Sequence, residues 1–95
     1  MIEDIIRKAM ERGTISQIEG YRNFHIDQQR AKRYFSFDEK SSFWYRMIVG
    51  SLIANSRIFY LELTKKEPDE EVWNDIWEIV GLHSQEIKDI ISKWN

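Results

Sequence analysis

The chain has no cysteine, a single proline and four glycines in 95 residues. Without cysteine there can be no disulfide, no thiolate metal ligand and no thiol nucleophile, a composition that fits the reducing cytoplasm. No glycine-rich phosphate loop is present. Ser41, Ser42, Ser51 and Ser56 lack the strand-to-helix glycine context of a nucleophile elbow. The two histidines, His25 and His83, have neither a second histidine nor a carboxylate at the helical spacing of a metal site. A general base also needs a partner, and none is visible beside either ring. The reading is therefore no catalytic residues, no metal and no cofactor, hence not an enzyme.

Charge of one sign is also lacking. The formal net charge is −2, short of the basic bias that nonspecific nucleic-acid binding needs. Acids stand among the first apolar residues, MIEDIIRKAM, unlike the basic start of a signal peptide. The longest apolar run, Phe43–Leu63, is interrupted by Arg46, Asn55, Arg57 and Glu62, which would be costly at a bilayer centre. A single cytoplasmic domain spanning 1–95, with no membrane association, is expected.

What is present is that run, FWYRMIVGSLIANSRIFYLEL, which must lie near the centre of any fold. Trp44, Met47, Ile48, Ser51, Leu52, Asn55, Ile58, Phe59 and Glu62 keep helical spacing and predict one long helix from about Asp38 to Leu63. Ser36–Glu39 matches a capping box just before it. Gly50 suggests a place where another helix comes close. Ahead of this helix, Ile2, Ile5, Ile6, Ala9 and Met10 predict a short amphipathic helix, with Glu3–Arg7 and Asp4–Lys8 as acid-first pairs four apart. Gly13 reads as its stop. Overlapping capping boxes at Thr14–Gln17 and Ser16–Glu19 predict a second helix over most of 15–35, broken between Gly20 and Asp27.

After the central run, Pro68 reads as the first turn of a new helix capped by Glu67. Val72, Trp73, Ile76, Trp77 and Val80 form its inner stripe. Gly81 stops it, with Leu82 making the contact that accompanies such a stop. Ser84 reads as the cap of a last helix whose inner face is Ile87, Ile90, Ile91 and Trp94. The unit resembles a helix-turn-helix in spacing, but Trp77 stands where a small residue belongs, and Glu86 and Asp89 would face phosphates. A plain helical hairpin is the better reading. The fold expected is all-α, a compact four- or five-helix domain around a long central helix. The alternative is α+β, with short strands near 21–26 and 57–63.

Two groups of residues suggest contact with a partner. Phe43, Trp44 and Tyr45 are consecutive and span about 200° of a helix, so they cannot all face one core. They are the candidate partner-binding set, and replacing Trp44 and Tyr45 by alanine is expected to spare the fold. Arg22, Arg30, Lys32 and Arg33 lie among aromatics, a pattern that can hold an acidic partner or stack and grip nucleic acid. The charge is polarised, with eight acids against two lysines after Lys66. Together these features suggest a regulator, inhibitor or adaptor that docks on a protein, with a homodimer as one form. A nucleic-acid-binding regulator is the alternative. Usage rich in isoleucine and lysine fits a low-GC bacterial or phage source.

Overall fold

Met10, Thr14 and Ile18, four residues apart, are buried in one line. That line explains why the chain does not stop at Gly13. A computed structural model, which describes residues 3–23, 30, 33–34 and 41–93, shows one helix, α1 (Asp4–Arg22), where the sequence suggests two. Gly13 has no left-handed backbone. The capping boxes at Thr14 and Ser16 fall inside the helix and cap nothing. Burial of the continuous stripe outweighs local stop and start signals, each worth about 1 kcal/mol. A Cβ added at Gly13 would sit 4.0 Å from Phe59 Cε1, an ordinary contact. Gly13→Ala is therefore expected to raise stability by about 0.5–1 kcal/mol in urea unfolding. A loss would mean that the residue needs the left-handed conformation of a helix stop.

The helix α2 (Ser41–Thr64) realises the long central element as one unbroken rod. The strand alternative fails at both places that can be described: Tyr21 and Arg22 are helical, and so are residues 57–63. Residues 24–26, the Ser36–Glu39 box, His25 and Trp94 lie outside the described residues. The β-leaning RIFYLEL is helical because a helix puts Ser56, Phe59 and Tyr60 on the side that meets the core; packing overrides strand propensity. The rod ends without glycine. Lys65 takes the left-handed position at φ 61 and donates its N–H to the Leu61 carbonyl at 2.8 Å, a helix stop of the αL type. The Thr64 hydroxyl donates to the Tyr60 carbonyl at 2.8 Å.

The next helix, α3 (Glu70–Gly81), begins later than its proline suggests. Asp69, not Glu67, is the cap, and its carboxylate accepts the Val72 N–H at 2.9 Å. The short aspartate reaches that amide as a cap must, while Glu67 pairs with Arg57. At the far end Gly81 is the last helical residue and has no positive φ. Leu82 follows in right-handed conformation, 71% exposed, so no hydrophobic stop contact forms. The last helix, α4 (Ser84–Ser92), has His83 at its cap position without a side-chain cap bond. The Ser84 hydroxyl instead lies 2.8 Å from the Tyr45 hydroxyl, tying α4 to α2.

Two apolar clusters divide the core along α2. Trp44, Ile48 and Leu52 pack with Ile18, Val80, Ile87, Ile90 and Ile91. Further along, Phe59 and Tyr60 pack with Met10, Val72, Ile76 and Ile79. Ile53 touches both. The α1 helix runs antiparallel to α2 and closes both clusters. Tyr21 donates to Ser51 at 3.2 Å, Asn55 donates to Gln17 at 2.7 Å, and Gly13 lies beside Phe59. The helices α3 and α4 pack mainly on α2 and α1 rather than on each other, so the expected hairpin is two separate ribs on a common rod. The fold is all-α, with four helices and no strand among the described residues.

Charges fasten α1 to its neighbours. Asp4 and Lys8 pair as their spacing predicts, at 3.5 Å. Arg7 turns away from Glu3 and bonds Glu11 at 3.0 Å, Asp75 at 3.2 Å and Glu78. The Glu11 hydrogen bond, against some desolvation and with help from Glu78 and Asp75, holds the guanidinium's pKa above its ordinary value.

Candidate functional site

The three consecutive aromatics divide by angle around α2. Trp44 points inward and is 6% exposed, a member of the upper cluster. Its indole meets the Phe43 ring edge-on, with centroids 5.1 Å apart and planes at 82°. Tyr45 is half-buried, with its hydroxyl on Ser84 and the Lys88 ammonium 5.4 Å above its ring. Phe43 is exposed. Trp44 is thus a core residue and not a docking one. A pair of alanines at 44 and 45 would remove core packing, contrary to the expectation from sequence. Of the trio, Phe43 stands on the outer face.

The other tryptophans separate similarly. Trp73 is half-buried against the lower cluster, but Trp77, one turn on, is 60% exposed. The inner stripe of α3 is Val72, Ile76, Ile79 and Val80, and Trp77 falls to one side of it.

Three members of the basic group, Arg22, Arg30 and Arg33, fall among the described residues. Arg22 is paired with Glu19 at 3.2 Å and with Glu86 of α4 at 2.6 Å, a bridge between the two helices. Arg33 lies 6.0 Å from the centroid of the exposed Tyr34 ring. Arg30 is exposed, and Lys32 lies outside the described residues. Glu86 also faces His83, whose Nδ1 is 3.1 Å from its carboxylate.

An apolar surface is left open on α2. Along the helix Trp44, Ile48, Leu52 and Ser56 mark the buried line among the described residues. On the opposite side Met47 is 45% and Ile58 47% exposed, with exposed Gly50 and Ala54 between them and half-buried Leu61 beyond. Among the described residues nothing approaches within 4 Å of a Cβ built at Gly50, so none of them makes the close helix contact expected there. A contiguous apolar stripe is informative where single exposed apolar residues are not.

Beside this stripe, between α1 and α2, lies a cleft of about 260 Å³. Gly13 and Thr14 border it on one side, with Asn55, Ser56, Phe59 and Glu62 on the other. Thr14 is 1% exposed, and its hydroxyl has no hydrogen-bond partner among the described residues. No signal in the sequence points to this cleft, because Thr14 reads as a helix cap and Gly13 as a stop.

Among the described residues no cluster of histidine and acidic side chains could hold a metal ion, and no helix is long and apolar enough to cross a membrane. Comparison of the chain with protein-family models, curated proteins and solved structures finds no match.

Proposed function

We propose that this protein is a small interaction module, a regulator, inhibitor or adaptor that docks through the outer face of α2, and that the first occupant of that face is a second copy of the chain. The observation that carries the reading is the stripe of Met47, Gly50, Ala54, Ile58 and Leu61, which is apolar and continuous along much of a 24-residue helix and exposed at all but the half-buried Leu61. Its residue sizes are self-complementary. Two antiparallel α2 helices related by a two-fold axis at Ala54 set Gly50 of one against Ile58 of the other, and Met47 against Leu61. Small residues at the centre let the backbones approach, and large ones fill the gaps beside them. Phe43 extends the face at its N-terminal end.

Sedimentation equilibrium tests this directly. Wild-type chain is expected to be dimeric at micromolar concentration. Met47→Glu places a charge in the apolar seam and is expected to weaken association by well over tenfold, more than about 1.4 kcal/mol, with the helical circular dichroism unchanged because Met47 lies off the core. A wild-type chain that stays monomeric at high concentration would remove the second copy as occupant.

A further inference from the structure

We infer that the cleft between α1 and α2 is a binding site for one alkyl cation, an alkylguanidinium or alkylammonium head on a short apolar stem. The inference is independent of the docking face, although Ile58 borders both. The volume, about 260 Å³, lies below the range of roughly 300–1,000 Å³ usual for drug-sized ligands. It suits a group the size of one long side chain.

The polar lining asks for donors. Asn55 spends one amide N–H on Gln17, at 2.7 Å. Gln17 turns its own amide to the Gly13 carbonyl at 3.4 Å. The Ser56 hydroxyl proton goes to the Leu52 carbonyl at 2.8 Å. What the groups on the open lining leave over is mainly acceptor capacity, the Asn55 carbonyl oxygen, the Ser56 lone pairs and the Glu62 carboxylate, against one remaining N–H each on Asn55 and Gln17. Glu62 has no ion pair among the described residues. A lone negative charge beside surplus acceptors selects a cation with several N–H groups over an anion or a neutral acceptor.

Behind this lining the Thr14 hydroxyl is enclosed and has no hydrogen-bond partner among the described residues. A buried hydroxyl without a partner is costly, and a valine of the same shape would avoid the cost. Phe59 and Ile58 supply an apolar wall for the stem, as such stems need. Gly13 keeps the α1 side of the cleft low: a Cβ placed there would already lie 4.0 Å from Phe59 Cε1, so a larger side chain would take up space between the two helices.

The test is a titration of isotope-labelled full-length chain followed by NMR. The probes are n-butylguanidinium and n-butylammonium, with n-butanol as the neutral control. Saturable shifts are expected at the Gly13 amide and at the Asn55 and Gln17 side-chain amides, with a dissociation constant on the order of a few millimolar. The cations are expected to bind several-fold tighter than butanol at low salt. Glu62→Gln should erase that preference. Thr14→Val should raise the melting midpoint and leave the cation preference in place, because that hydroxyl is enclosed. Gly13→Leu should abolish binding, again with no loss of thermal stability, which separates a blocked cleft from an unfolded protein. Equal binding of butanol and the cations, cation binding indifferent to Glu62→Gln, or no localised shift with any probe would each overturn the inference.

A second arm uses arginine capped as its N-acetyl methylamide. Binding at least as tight as butylguanidinium would identify a protein side chain as the source of the cation. Exclusion of the capped residue, with the free compound still bound, would identify a small molecule. The same titration on the Met47→Glu chain, monomeric if the docking reading holds, keeps the failure of either reading distinct from that of the other.

Discussion

Trp44→Ala is expected to destabilise the protein by about 3–5 kcal/mol, the range for removing a large aromatic from a packed core. The indole is 6% exposed and packs among Ile18, Ile48, Leu52 and Ile91 in one cluster. Neighbouring isoleucines sit on three different helices and cannot collapse together to fill the space, so a cavity term adds to the lost transfer energy. Domains of this size have about 5–15 kcal/mol in total, so the variant would lose about a fifth or more of its stability. Phe43→Ala, one residue earlier on the outer face, should cost well under half as much. Chemical denaturation of the two single variants decides the matter. Equal, small losses would return Trp44 to the surface and reverse the division of the aromatic trio.

Ile76→Ala is the second large effect, at about 2–5 kcal/mol. Ile76 is 0% exposed, in the lower cluster with Met10, Val72 and Ile79. Its neighbour Trp77 is the larger side chain but is 60% exposed, so Trp77→Ala should move stability by only about 0.5 kcal/mol, as surface changes do. Tryptophan emission gives an independent reading. Loss of Trp77 should remove a red-shifted, solvent-exposed part of the spectrum, while Trp44 accounts for a blue-shifted part. A costly Trp77→Ala beside a cheap Ile76→Ala would mean that the face of α3 turned to the core is the other one.

The all-α class and the long central rod were legible from residue periodicity, because helical spacing of apolar residues over more than twenty positions has no other low-energy solution. Element boundaries were less legible. Gly13 read as a stop and Thr14 as a start, yet both sit inside α1, since local signals of about 1 kcal/mol yield to a stripe that buries Met10, Thr14 and Ile18 together. The proline signal at Pro68 was right about a boundary and wrong about the cap, because Asp69 rather than Glu67 has the reach to satisfy Val72 N–H. Neither candidate surface was visible from the chain alone. The acceptor-rich cleft joins residues some forty positions apart, and the charges that neutralise Arg22 come partly from the last helix, through Glu86.

The order of apolar and polar residues, by itself, determined that this chain is helical and that Phe43–Leu63 is its axis. Periodicity is a one-dimensional property, and hydrophobic burial acts on it directly. Which side of that axis is covered was decided only in three dimensions. A helix with apolar residues on more than one side offers several faces, and the packing of α1, α3 and α4 selected the Trp44–Ser56 line. The same selection buried Trp44, exposed Trp77 and left the Met47–Ile58 stripe open, because a side chain's burial depends on where its neighbours arrive and not on its own hydrophobicity.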